Sequence, residues 1–498
     1  MSDIILALDQ GTTGTTVLAL DAATFEVRGR KTVDVPQHFP GPGQVEHDPE
    51  EIWSGVVAAI NGALASTGLA DAGARVRAIG ITNQRETTVL WDRRTGRPIH
   101  RAIVWQDRRT AAICQRLRDQ GVEPLVFDKA GLLLDPYFSG TKIRWLLDNV
   151  SDARVRADRG ELAFGTIDTW LVHKLSGGAA HVTDVTNASR TLLMDLKSLR
   201  WDEVLLGALG IPDAILPTIA GSAEIVAHTK GVDGLPDGVP IAGIAGDQQA
   251  ALFGQGCYAQ GDVKCTYGTG AFVLMNIGAV PVPSRHRLLT TVAWKIPGET
   301  AYALEGSSFI AGAAVQWLRD GLGIIKSASE IEALARTVED SGECVFVPAL
   351  TGLGAPHWAP EARGLITGLG RDTTRAHLAR ATLEGIALSI ADLVDAMGKD
   401  AGAPVASMKV DGGASANNLL MDLQAALVRA RVVRPKVVET TALGAGLLAA
   451  LGAGLVANRS ALPESSVDRA FDGASAGAPS AVEGLRARWR KAIERTLR

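Results

Sequence analysis

Two stretches half a chain apart read alike, and that echo constrains the fold more than any other feature of the 498 residues. IILALDQGTTGTTVLAL (4–20) and DVKCTYGTGAFVLMNI (262–277) each run as an apolar strand, a tight Gly/Thr turn and a second apolar strand. Gly-rich hairpin tips are common, so the pattern alone leaves two readings open. Either two unrelated hairpins share a tip, or the chain is a duplicated lobe that supplies one phosphate-binding turn from each half. Duplication would place the boundary near 254, dividing the chain into an N-terminal lobe over 1–254 and a C-terminal lobe over 255–460. A helical tail over 461–498 would follow, where Ala, Gly, Ser and Pro rise.

Between the hairpins the chain alternates strand-like runs with helical ones, which predicts an α/β protein. Strands are expected at IILALD (4–9), RAIGIT (77–82), IAGIAGD (241–247) and MKVDGG (408–413), and helices at 50–66, 109–119, 139–149 and 376–397. ALGAGLLAALGAGLVA (442–457) is too short and too rich in Gly and Ala to span a bilayer and predicts a buried helix in close contact with a neighbour. The net charge of −4, with Lys and Arg dispersed, argues against a nucleic-acid surface. Cys114, Cys257, Cys265 and Cys344 form no CxxC pair, as expected of reduced thiols in a cytoplasmic protein, and the start of the chain lacks the basic opening of a signal peptide.

Several turns carry groups suited to chemistry at strand ends. DQGTTGTT (9–16) offers backbone N–H groups and Thr hydroxyls that can wrap phosphate without a P-loop. Asp9 there either holds Mg²⁺ through water or stabilises the turn. In TNQRETT (82–88), Arg85 and Glu86 would point to opposite faces of a regular strand, so they share one pocket only if the chain turns between them. A solvent-exposed pair is the alternative. Trp105 in VWQDRR and Tyr137 in DPYFSGTK are core aromatics or walls of that pocket. Asp247 lies between a strand and a helix, where it either caps the helix or serves as a general base. YGTGAF (267–272) would cradle phosphate, and DGGASANN (411–418) would bring backbone close to a base or ribose, with Asn417 bonding it, unless it is a plain Gly-rich turn.

Taken together, ALDQGTTGTT, GITNQRETT, VWQDRR, DPYFSGTK, GTIDTWL, VTNASRT, IAGDQQAALFGQ, TYGTGAF, PALTGLGAP and VDGGASANN resemble the FGGY carbohydrate kinases, in order, from about residue 4 to about 460. The resemblance is greatest to those members that phosphorylate glycerol. It implies two duplicated ribonuclease H-like lobes, as in actin and hexokinase, around a nucleotide cleft, with ATP and Mg²⁺ as cofactors. It also implies a homo-oligomer, either dimer or tetramer, acting on glycerol. Carried over residue by residue, Arg85, Glu86, Tyr137, Asp247 and Gln248 would hold glycerol, Trp105 and Phe272 would back its carbon chain, and Asp247 would be the base. Thr12, Thr13, Gly14, Thr16, Thr269, Gly312, Gln316, Gly413 and Asn417 would face the nucleotide.

Two departures qualify the resemblance. Many such members have Ser-Ser-Arg where Gly14, Thr15 and Thr16 stand, so a phosphate-facing guanidinium is missing and altered nucleotide affinity or kinetics is expected. HTKGVDGLPDGVP (228–240) matches neither the phosphorylatable His motif nor the Gly/Arg-rich effector loop of relatives, so control by phosphotransfer or fructose bisphosphate is not implied. A ketopentose kinase and an actin- or chaperone-like ATPase are the rival readings.

Overall fold

The computed structural model describes residues 3–437, 439–473 and 479–498. In the first half, β1 (Ile4–Gln10) is apolar through Leu8 and buried on both faces, and the Gly11–Thr13 turn returns it antiparallel onto β2 (Gly14–Asp21). The chain continues into β3 (Val27–Asp34), then α1 (Pro49–Ser66), β4 (Val76–Asn83), the short β5 (Ala227–His228) and β6 (Pro240–Gly246). The Asp48 carboxylate caps α1 by accepting from the Glu50 N–H at 2.9 Å, and Pro49 at the first helical position costs no hydrogen bond. The sheet order is β5-β6-β4-β1-β2-β3, with β1 parallel to β4 and β4 parallel to β6.

The second half repeats this layout with β7 (Asp262–Tyr267), β8 (Ala271–Gly278), β9 (Leu289–Ile296), β10 (Glu299–Ser308), β11 (Ser407–Asp411), β12 (Val432–Pro435) and β13 (Val467–Phe471). Its order is β9-β10-β8-β7-β11-β12-β13. Read outward from the hairpin, β10-β8-β7-β11-β12-β13 matches β3-β2-β1-β4-β6-β5 strand for strand, in neighbours and in direction. The echo is thus a duplicated lobe, and β9 is an addition of the second half.

The two halves are joined through helices. The strand β6 runs into α2 (Asp247–Gly254), which packs against β7, β8 and β9 of the other lobe and against α6 (Thr440–Gly452). In exchange α6 lies across β1, β4 and β6 of the first lobe. This exchange requires backbone-to-backbone contact: a Cβ on Gly444 would overlap the Ala250 carbonyl, and one on Gly80 would overlap that of Ala445. The buried helix expected over 442–457 therefore exists but is shorter, because the chain turns after Gly452 and Gly454 takes φ +70°. The helix expected from 109 begins at Ala111, since Arg109 N–H donates to the Asp107 carboxylate at 2.8 Å in the preceding turn.

The segment 461–498 is more than a helical tail. It supplies the edge strand β13 and then α7 (Pro479–Thr496), whose Trp489 is buried and donates to Asp392 on α4 (Arg375–Ala401) at 2.7 Å. The part of that segment over 474–478 lies outside the described residues. Among the described residues, no helix is long and apolar enough to cross a membrane.

Candidate active site

The Arg85-Glu86 pair sits just past the C-terminal end of β4. Glu86 takes φ +59°, a conformation that costs a non-glycine residue energy, and Thr87 N–H donates to the Arg85 carbonyl at 2.7 Å to close a three-residue turn. The Glu86 carbonyl is fixed by hydroxyl donors from Thr88 and Ser139, each at 3.0 Å. The turn breaks strand alternation and joins the two side chains in one buried cluster, as the pocket reading required. Neither is solvent-exposed.

Arg85 is the hub. Its Nε lies 3.0 Å from Asp247 Oδ1, its Nη2 donates to Tyr137 Oη at 3.4 Å, and its Nη1 donates to Gln249 Oε1 at 3.3 Å and to Glu305 Oε2 at 2.5 Å. Arg190 links Glu305 to Glu86 by donating from Nε to Glu86 Oε1 at 2.7 Å and from Nη2 to Glu305 Oε1 at 2.9 Å. Burial raises Glu305 but Arg190 and Arg85 outweigh it and hold its carboxyl below the ordinary range, whereas for Glu86 burial wins and its carboxyl is pushed up.

Asp247 is the first residue of α2, with Gly246 as the N-cap, so its carboxylate is not the capping group. Oδ1 accepts from Gln248 N–H at 2.7 Å as well as facing Arg85, and the side chain is 31% exposed, open where its neighbours are closed. Gly246 is required beside it, since a Cβ there would lie 2.6 Å from Arg85 Cδ. Gln248 is held by Lys264 of β7, whose Nζ donates to Gln248 Oε1 and, at 2.8 Å, to Thr266 Oγ1. That contact directs the Gln248 amide N–H₂ away from the lysine.

The aromatic wall joins both hairpins. Trp105 donates its indole N–H to Thr12 Oγ1 at 2.9 Å in the first turn, and its ring meets Phe272 just past the second turn edge-on, centroids 6.3 Å apart. Tyr137 packs edge-on to Trp105 at 5.6 Å. The motifs carrying these residues dock through Arg108 and Asp135 at 2.7 Å, and Asp135 also accepts from Tyr137 N–H at 2.9 Å. Buried Lys142 donates to the Tyr137 and Phe138 carbonyls.

On the phosphate side, the turn carbonyls are held from behind: Gly11 by the side-chain amides of Gln10 and Gln84, Thr13 by Val35 N–H. Gly14 closes the turn by accepting from Gly11 N–H at 2.9 Å. Thr13 is exposed, while Thr16 shares a 2.9 Å hydrogen bond with Thr32 on β3. Asp9 pairs across from Thr16, and burial together with Asp247 and Glu439 pushes its carboxyl up to about 7. In the second lobe the Gly268 and Thr269 carbonyls accept from the N–H groups of Ala311, Gly312 and Ala313 at the start of α3 (Gly312–Asp320), a contact so close that a Cβ on Gly312 would sit 2.6 Å from the Gly268 oxygen. Gln316, one turn along α3, is exposed, as is Gly413. Asn417 differs from expectation in part: its Oδ1 accepts from Leu420 N–H at 2.9 Å as the N-cap of α5 (Asn418–Val428), so that oxygen is committed to the helix.

Arg190, Glu305, Lys264 and Lys142 were not foreseen. A charged residue inside an apolar strand, as in AYALEGSS or DVKCTY, signals a buried group that needs a partner, and that signal was present in the sequence.

Comparison with known proteins shows the family. The models of the FGGY family of carbohydrate kinases match residues 4–254 for the N-terminal domain and 263–453 for the C-terminal domain. A glycerol kinase of Myxococcus xanthus is 58% identical over 494 residues, 99% of each chain, and one of Deinococcus radiodurans is 55% identical over 451 residues, covering 90% of this chain and 89% of that one. Among solved structures, Plasmodium falciparum glycerol kinase with ADP superposes with a TM-score of 0.94 at 34% identity, covering 100% of this chain and 99% of that one. A ligand-bound xylulose kinase from Lactobacillus acidophilus, at 22% identity and a TM-score of 0.88 over 99% and 98% of the two chains, shares the fold. With family models over both halves and relatives this similar along their full length, the chain belongs to the FGGY family of carbohydrate kinases.

Proposed function

We propose that the chain transfers the γ-phosphate of ATP to a primary hydroxyl of glycerol, giving sn-glycerol 3-phosphate. The observation that carries this reading is the convergence of Asp247, Tyr137 and Glu305 on one guanidinium, that of Arg85, beside Glu86 and Gln248. It is a compact array of donors and acceptors suited to a ligand of three hydroxyls, backed by Trp105 and Phe272. The high identity to proteins named glycerol kinase supports the same acceptor.

In this reading Asp247 Oδ1 is held by Gln248 N–H and Arg85, which leaves Oδ2 to take the hydroxyl proton. The alkoxide oxygen bonds to the γ-phosphorus as the bond to the β-phosphate bridge breaks, and ADP leaves. Thr12, Thr13 and Gly14 of one turn and Thr269 of the other would surround the phosphates; Gly312, Gln316, Gly413 and Asn417 would line the nucleoside. Thr16 would contribute little, because its hydroxyl is engaged by Thr32.

Asp9 and Asp247 would hold Mg²⁺ through water. Burial and then the Asp247 charge raise the Asp9 carboxyl, so a cation between the two would relieve that repulsion, its remaining ligands being water and phosphate oxygens, since no cluster of three or more candidate ligands occurs among the described residues. A bound Mg²⁺ would neutralise charge on the β- and γ-phosphate oxygens.

Asp247→Asn tests the base assignment: glycerol-dependent ADP release in a coupled assay should fall by about 10²-fold or more. Turnover within a few-fold of wild type would remove Asp247 from that role. An acceptor series of glycerol, dihydroxyacetone, xylulose and ribulose checks the substrate, with ATP turnover independent of acceptor counting against transfer altogether.

A further inference from the structure

Four charged side chains, each almost completely buried, form an open network of three ion pairs in the order Glu86, Arg190, Glu305, Arg85, whose two ends are sequence neighbours. Three come from the N-terminal half; Glu305 comes from β10 in the C-terminal half. Glu305 is the member that touches both guanidiniums: Oε2 takes Arg85 Nη1 at 2.5 Å, and Oε1 takes Arg85 Nη2 at 3.1 Å and Arg190 Nη2 at 2.9 Å. The fork-to-fork pairing fixes the plane of the Arg85 guanidinium. With Nε facing Asp247 and Nη1 shared with Gln249, the slackest contact of Arg85 is Nη2 to Tyr137 Oη at 3.4 Å. The donor that a ligand hydroxyl can claim is therefore the one on the Tyr137 side, and Glu305 is what keeps it there. At the other end of the network, Arg190 occupies one oxygen of Glu86 and leaves the other to accept from a hydroxyl.

We propose that Glu305 and Arg190 are positioning residues for the acceptor, acting through Arg85 and Glu86, so that the acceptor site in the N-terminal lobe is completed by a carboxylate from the C-terminal lobe. This rests on the reading of Arg85 and Glu86 as the polyol clamp. Neither positioning residue touches the substrate. The two guanidiniums and two carboxylates of the network cancel in charge, which suits an uncharged acceptor. The network also makes acceptor binding sensitive to how the lobes sit, because loss of the β10 contact would remove the paired bonds that fix the Arg85 guanidinium plane.

The test is steady-state kinetics on Glu305→Gln, Arg85→Lys and the double variant, with KM measured separately for glycerol and ATP. Glu305→Gln should raise the glycerol KM about tenfold or more, the loss of a charge-assisted hydrogen bond, while the ATP KM stays within about twofold. Because Glu305 acts through Arg85, its replacement should add little once Arg85 is Lys. A glycerol KM unchanged in Glu305→Gln, or raised by the same factor on top of Arg85→Lys, overturns the proposal while leaving the clamp intact. An unchanged glycerol KM in Arg85→Lys alone removes the clamp and the proposal with it. Should Glu305→Gln not fold, Glu305→Asp and Arg190→Lys take its place: each should raise the glycerol KM selectively, and wild-type values in both refute the positioning role.

Discussion

Replacing Asp9 by Asn should make the protein more stable and less active at the same time, with a pH dependence that fixes the cause. Burial, then Asp247 and Glu439, push the Asp9 carboxyl from 3.8 to about 7. Below about pH 4 it is protonated in both the folded and unfolded chain and costs nothing. Between about 4 and 7 the unfolded chain ionises while the folded one keeps its proton, so stability falls as pH rises, and the full penalty stands above pH 7. At full strength that displacement is worth about 4 kcal/mol. Asp9 is only partly buried, so water screens the carboxyl and about 2 kcal/mol is expected. Urea midpoints without nucleotide should therefore show Asp9→Asn gaining on wild type at pH 8, with most of the gain appearing between pH 5 and 8. Turnover at pH 8 should meanwhile drop by about a hundredfold or more, as expected when a group that organises the transferred phosphate is lost. A stability difference that stays the same at pH 5 and pH 8 would refute the buried-charge account, and an Asn variant with normal turnover would refute the assignment of Asp9 to the phosphate site.

Trp105→Phe keeps an aromatic wall but removes the indole N–H that Thr12 Oγ1 accepts at 2.9 Å; a hydrogen bond of about 1 kcal/mol predicts a kcat loss of about fivefold with the glycerol KM nearly unchanged. An unchanged kcat would detach Trp105 from the phosphate turn. Gly444→Ala opposes two effects: better helix propensity favours Ala by about 1 kcal/mol, but the new Cβ overlaps the Ala250 carbonyl, and overpacking costs about 1–3 kcal/mol or more. Sterics should win, lowering the urea midpoint, and a midpoint at or above wild type would show that α2 and α6 can separate at little cost.

What could be read from the sequence was what local pattern encodes. The paired hairpins are contiguous, so their strand-turn-strand signature survives without knowledge of partners, and the matched sheet orders follow from it once β4, β6, β11 and β12 are added as parallel neighbours. The convergence at Arg85 is different in kind. Alternation along a strand sends Arg85 and Glu86 to opposite faces, and what reunites them is a left-handed Glu86, a conformation that a glutamate in a sequence does not advertise. It persists because Ser139 and Thr88 hold the Glu86 carbonyl and Arg190 holds its carboxylate, residues up to 104 positions away. The Asp247 position shows the same limit from the other side: the strand-to-helix junction was visible, but Gly246 takes the cap, so the carboxylate is left for the cleft. Asn417 runs the opposite course, a side chain expected to face the nucleotide whose oxygen turns back to cap α5. In each case the deciding partner lies in another element, and for Glu305 it lies in another lobe. A site assembled from both halves of a duplicated chain is therefore half legible by construction: each half signals the groups it presents, and the contacts that orient those groups come from the other half.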